Sequence, residues 1–392
     1  MAENNFKYNI KSIINVLISI GFLAIIIFPT IQKYVPIVPV SESREKRKLA
    51  DRPQLNIENR DQFPFAYENY YNDHFSLRNQ LVRFKSNLAI HVFRQSPMPD
   101  KVIIGKNDWL YLVKDELDTY RGKLQLQEEE LKKLANEVVR RRDYLDNRGI
   151  KMYFVIAPTK YTIYPEFLPA YVKRIRPLNR TDQVKQALLE AGIGVLDLRD
   201  SLKLAKEKHM LFYKTDNHWN NLGSFVAYRS ILSEIRKDFP ELPVLDWNDF
   251  TIEEHSRLGG NTADLMNLMM AFNDTEYNLQ PNGIRKAQKM PDVGYPAPQY
   301  FGYKDQYEEV YSTGNDSLPD ILFIRDSFGN ALIPYLTESF NRSVCIFDAW
   351  NYTANEHIIE NEKPDIVLYV VLESLWHGFM TGVEKSENKD AD

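Results

Sequence analysis

Two short stretches carry residue types that can do chemistry together. In Ile321-Leu322-Phe323-Ile324-Arg325-Asp326-Ser327-Phe328-Gly329-Asn330 an apolar run ends in a small hydroxyl residue, with a glycine two positions on. That is the pattern of a strand delivering a serine onto a strand-to-helix turn, where backbone N–H groups can face a developing oxyanion. A serine hydroxyl is a weak nucleophile alone and needs a base. Asp216-Asn217-His218-Trp219, over a hundred residues upstream, offers one. A carboxylate two residues before an imidazole lets one tight loop hold both. Asp216 would accept from Nδ1–H and fix the tautomer, leaving His218 Nε2 to take the Ser327 proton. Trp219 would give the loop an apolar wall. Each stretch alone has a plainer reading: a helix-capping serine, and a loop aspartate beside a partly exposed histidine. Their joint occurrence at loop positions of one α/β pattern favours a triad. Asp73-His74 is a second acid–histidine pair, but no serine-bearing strand end follows it, and it reads as surface or core edge.

The elements that must position these residues form an α/β alternation. Strands are expected at Met152–Ala157, Ile193–Leu198, Asp320–Ile324, Ser343–Phe347 and Ile366–Leu372. Helices are expected from a Thr181 cap to about Ala191, from Ser201, over Leu222–Ile235, from about Asn330 to Ser339, and near Asn355–Glu362. Strands this apolar, alternating with helices, predict a parallel sheet flanked by helices on both sides. Ligands of such sheets bind beyond the carboxyl ends of the strands, which adds Pro158-Thr159-Lys160-Tyr161 to the candidate set. Lys160 there would contact an anionic substrate, orient the site, or make a structural salt bridge. Upstream lie an aromatic-rich helical pattern over 61–95, a turn into a short strand at Gly105–Tyr111, and an amphipathic helix over Leu124–Asn147. Residues 238–318 lack alternation and are rich in Pro, Asn, Asp and Tyr, which reads as a long irregular insertion with Gly259-Gly260-Asn261 as its tightest turn.

Ile13 through Ile31 contain no charge and are mostly Ile, Leu, Val and Phe. At about 1.5 Å per residue the run roughly matches the hydrocarbon thickness of a bilayer. Lys7 and Lys11 precede it, as in a signal anchor with a cytoplasmic N-terminus. A cleaved signal peptide is the rival, with no clear A-x-A site to support it. The expected layout is a cytoplasmic stub and anchor at 1–34, a juxtamembrane linker at 35–60, a catalytic domain at 61–380 holding the insertion, and a disordered acidic tail at 381–392.

The 392-residue chain has a net charge of −5, which gives no support for nucleic-acid binding, and its 23 tyrosines suit sugar-facing surfaces as well as plain cores. Cys345 is the only cysteine, so no intrachain disulfide can form. There is no zinc-spaced Cys/His cluster, H-E-x-x-H or P-loop, so neither a metal nor a nucleotide cofactor is implied.

Four stretches, in order, resemble one family: Gly105–Tyr111; Ile156–Lys160 with Tyr164-Pro165-Glu166; Thr215–Trp219; and Ile324–Phe328. The chain is similar to the SGNH-hydrolase-like bacterial exopolysaccharide O-acetyltransferases, the alginate acetylation proteins and their D-H-H-W-motif relatives. The resemblance implies Ser327 as nucleophile, His218 as general base and Asp216 as its orienter. Asn217 stands where the closest motif has histidine, and Arg325 precedes Asp326 where many SGNH enzymes carry glycine. The Ser327 backbone N–H, with Asn261, Arg325, Lys160, Tyr161 and Trp219, forms the wider set of oxyanion or substrate candidates. The implied function is a membrane-anchored O-acetyltransferase that acylates an exported polysaccharide through an acyl-serine. A multi-pass membrane acyltransferase would be its acyl donor. The implied location is the inner or plasma membrane, single-pass, with the catalytic domain on the periplasmic or extracytoplasmic side. Two alternatives stand beside it: a carbohydrate O-acetylesterase using the same triad, and a non-catalytic polysaccharide-binding component of export machinery.

Overall fold

The structure, a computed structural model, describes residues 2–35, 37, 49–57, 59–92, 95–299, 301–348, 351–353 and 355–389. The chain divides into two units, residues 1–97 with 264–268, and residues 98–263 with 269–392. The first unit contains helix Ala2–Tyr34, whose Ser12–Tyr34 portion is long and apolar enough to cross a membrane. A three-residue turn joins its other two helices, Phe63–His74 and Arg78–His91. Much of the linker expected at 35–60 (residues 36, 38–48 and 58) lies outside the described residues.

In the second unit the strands follow in chain order: β1 (Val102–Ile104), β2 (Leu110–Leu112), β3 (Lys151–Ala157), β4 (Val195–Asp197), β5 (Phe250–Leu258), β6 (Asn273–Pro281), β7 (Gln288–Met290), β8 (Glu308–Ser312), β9 (Ile321–Arg325), β10 (Arg342–Phe347) and β11 (Ile366–Leu372). Seven of them make one sheet in the order β4-β3-β11-β9-β10-β8-β7. The first five are mutually parallel, while β8 and β7 add antiparallel at one edge. Side chains alternate across a strand, and here both faces are apolar. Val155, Phe323, Leu368 and Val370 enter one core with helix Asn221–Ile235. Phe154, Leu322, Val367, Tyr369 and Val371 enter the other with helices Glu128–Asp146, Arg180–Glu190 and Trp376–Lys389. The α/β sheet with flanking helices is therefore as the alternation predicts.

Four local expectations change. The stretch 238–318 is not irregular: β5 and β6 pair over nine residues each as a long antiparallel ribbon, and β7 and β8 join the main sheet. Most of β5 is exposed, so it carries no in/out alternation for the sequence to reveal. The acidic tail is helical through Lys389, because Trp376, Phe379, Met380 and Val383 are buried against the core. The helix expected over 330–339 is broken into a 3-10 turn Ser327–Ala331, a short helix Ile333–Leu336 and a second 3-10 turn Thr337–Ser339. Asn179, not Thr181, caps Arg180–Glu190, accepting from the Asp182 N–H while Asp182 accepts from the Asn179 N–H.

Candidate active site

β9 runs fully buried to Arg325, and its continuation is fixed by Asp326. The Asp326 carboxylate accepts the Phe328 N–H at 2.7 Å, so it is the N-cap of the turn that Ser327 opens. It also accepts the Leu372 N–H at 3.2 Å and the Tyr352 hydroxyl, which ties the turn to the end of β11. Burial pushes the Asp326 carboxyl up. Ser327, only partly covered, thus stands at the carboxyl end of a central parallel strand.

The second loop closes on itself. Phe212 and Trp219 form a bridge, and the Tyr213 N–H donates to the His218 carbonyl at 3.3 Å. The Trp219 indole N–H then donates to the Phe328 carbonyl at 3.0 Å, pinning this loop to the serine turn. The Phe328 ring lies 4.9 Å from the imidazole, centre to centre. His218 Nε2 comes within 2.9 Å of Ser327 Oγ, and Nδ1 within 2.7 Å of Asp216 Oδ1. Burial opposes ionisation of Asp216, but the hydrogen bond and charge of His218, with N–H donors from Asn261 and His218, hold its carboxyl well below the usual range. An ionised carboxylate, an imidazole and a hydroxyl in line are the components of a nucleophile–base–orienter relay.

Residues far apart in sequence hold that line in place. Asp216 Oδ2 accepts the Asn261 N–H at 3.0 Å. Gly260 lies so close that a Cβ there would fall 2.6 Å from the Asp216 Cβ and 2.7 Å from Oδ2, so the approach requires glycine. Thr215 is held by Asp274, which accepts both its N–H at 2.8 Å and its hydroxyl at 2.6 Å. Lys160 is fully buried beneath the loop, and its ammonium donates to the carbonyls of Tyr213 at 3.0 Å, Lys214 at 3.1 Å, and Asp216. Burial pulls its pKa down to about 8, against the opposing attraction of Asp216 and Glu116. Burial likewise pushes Glu116 up to about 8, with Lys160 and a hydrogen bond from Asn217 opposing. Glu373, just past β11, accepts from the Thr159 N–H and hydroxyl, each at 2.8 Å.

Asp216, His218, Ser327 and Trp219 are thus brought together from two loops. Lys160 reaches the Asp–His loop from below and is closed to substrate. Tyr161 is buried against Tyr111 and Tyr120. Arg325 points into the sheet, pairing with Glu309 at 3.0 Å and lying over the Phe347 ring. Neither belongs to an open substrate face, which corrects both assignments. Asn261 keeps an exposed side chain beside Asp216. Glu116, Gly260, Asp274 and Glu373 carry no local motif. Of these only Gly260 left a trace in the sequence, as part of a tight turn.

A family model of the SGNH hydrolase-like domain of the acetyltransferase AlgX matches residues 102–344. The probable alginate O-acetylase AlgJ of Pseudomonas aeruginosa is 29% identical over 192 residues, 48% of this chain and 45% of that protein. AlgJ of Pseudomonas syringae pv. tomato is 27% identical over 175 residues, covering 45% of this chain and 43% of that protein. The matched region therefore spans less than half the length of these curated relatives. A DHHW family protein from Eubacterium siraeum shares the fold, with a TM-score of 0.51 at 15% identity, over 73% of this chain and 98% of that one.

Proposed function

From a chain that belongs to the SGNH hydrolase-like domain family of the acetyltransferase AlgX, we infer a membrane-anchored O-acetyltransferase acting on hydroxyls of an exported polysaccharide. The observation that carries this reading is the unbroken line from Asp216 through His218 to Ser327, with contacts of 2.7 and 2.9 Å. His218 Nε2 takes the Ser327 proton as Oγ attacks the carbonyl carbon of an acetyl ester. The tetrahedral oxyanion is received by N–H donors beside Ser327, with the Ser327 backbone N–H and the Asn261 side-chain amide as candidates. Collapse expels the donor's alkoxide, which takes the proton from His218 and leaves an acetyl ester on Ser327. A sugar hydroxyl then gives its proton to His218 and attacks that ester, and the proton returns to Ser327 Oγ as it leaves. Asp216 stabilises the imidazolium in both halves.

The AlgJ relatives are named alginate O-acetylases, which supports a polysaccharide acceptor. Segment Ser12–Tyr34 serves as the single-pass anchor, with the catalytic portion on the extracytoplasmic side and a multi-pass membrane acyltransferase as donor. Purified protein is incubated with an activated acetyl ester and oligosaccharides. Acetylated sugar, lost in Ser327→Ala, is the expected result. Free acetate without acetylated sugar makes the protein an esterase. Undiminished transfer by Ser327→Ala removes the serine mechanism.

A further inference from the structure

Helix Arg78–His91 leaves Leu81, Phe84 and Leu88 exposed, and Val92 follows at its end. Their spacing of i, i+3, i+7 and i+11 places all four on one narrow stripe of a helix. The exposed Lys85 flanks that stripe. The preceding helix, Phe63–His74, exposes Tyr67 and Tyr71 on one side, while Glu68, Asn69 and Asn72 occupy another together with the exposed Phe65. An apolar stripe with a basic flank, beside tyrosines, fits a helix lying in a membrane interface.

One contact within this unit fixes the depth. The Ser76 hydroxyl, in the turn between the two helices, donates to the Pro29 carbonyl at 2.6 Å. Pro29 and Gln32 are buried, in a helix otherwise exposed along most of its length. Pro29 lies four residues before Lys33, so about 6 Å along the axis separates it from the first charge after the apolar run. A turn bonded to that carbonyl cannot lie far out in water.

We propose that helices Phe63–His74 and Arg78–His91 form a hairpin seated on the lipid interface, with Leu81, Phe84, Leu88 and Val92 dipping into the acyl boundary. The occupant of the exposed stripe is then the bilayer itself. The proposal rests on Ser12–Tyr34 being a membrane span. A hairpin set this way, in addition to the span, would limit tilting of the anchor.

The test uses the full chain in protein-free vesicles of phosphatidylcholine and phosphatidylglycerol. An environment-sensitive fluorophore is placed on Phe84→Cys, Leu81→Cys or, as the polar-face comparison, Asn69→Cys. The native Cys345 is buried. Lipids with a shallow acyl nitroxide should quench the labels at 84 and 81 several-fold more than the label at 69, and aqueous iodide should do the reverse. Three outcomes overturn the proposal: equal iodide access at all three positions; protection at 84 and 81 from both quenchers; or protection appearing only when a second membrane protein is co-reconstituted. A label at Ile20→Cys reports the span separately, through a nitroxide deep in the acyl chain. Its failure would remove the anchor reading, not the hairpin alone.

Discussion

Asp216 is almost sealed from solvent, yet the donors around it keep it ionised. An amide in its place would preserve shape but lose the charge that stabilises the imidazolium. Asp216→Asn is therefore expected to lower kcat by on the order of 10^3–10^4 with little change in KM, measured on an activated acetyl ester. Ser327→Ala should lose acyl transfer while its thermal unfolding stays close to the parent, since Ser327 is only partly covered. Asp216, His218 and Ser327 were legible because each lies in a short pattern: a strand end, a tight D-x-H-W loop, a capped turn. Lys160 was legible as a neighbour of the site, with orienting it one of three readings, but the sequence did not choose among them. That its ammonium serves three loop carbonyls depends on residues more than fifty positions away. Arg325 shows the opposite failure. Its position beside the serine suggested the site, but alternation along β9 turns it into the sheet, where Glu309 receives it.

At the scale of elements, the Asp–His loop, pinned to the serine turn through Trp219, is braced by a third segment, the Gly259–Asn261 turn that follows β5. Its glycine touches Asp216 directly. Gly260→Ala forces a methyl to within 2.6 Å of the Asp216 Cβ, so the carboxylate must shift. A displacement near 1 Å is expected to lower kcat by about 10^2-fold, read against an unchanged circular dichroism spectrum. Normal turnover in that variant would mean the turn does not set the Asp216 position. The parallel strands were readable because burial on both faces makes them continuous apolar runs. The β5–β6 ribbon was not, since solvent on its faces erases the period-two signal. The terminal helix was hidden behind the acidic composition of its last residues, although Trp376, Phe379 and Val383 carry a buried face at helical spacing.

For the whole molecule, the buried charges around the site tie stability to pH. Burial raises Glu116 from 4.5 to about 8. Between those values the folded chain binds more protons than the unfolded one. The stabilising contribution of this group is complete below about 4.5 and is lost as pH rises through about 8. Lys160, drawn down from 10.5 to about 8, acts in the other direction. Above pH 8 the unfolded chain binds more protons, and stability recovers toward pH 10.5. Glu116→Gln should flatten the first leg, so that denaturant midpoints vary less from about pH 5 to 8 than in the parent. A parent profile already flat over that range would contradict the burial of Glu116 as a protonated acid.

The central claim is that Ser327 carries the acyl group, and trapping that group tests it most directly. The protein is mixed with an activated acetyl ester, quenched in acid within the first turnovers, digested and analysed by mass spectrometry. One acetyl group on the peptide holding Ser327, absent from His218→Ala treated alike, is the predicted result. A folded parent protein that stays unmodified, or carries its acetyl group on another residue, would contradict it.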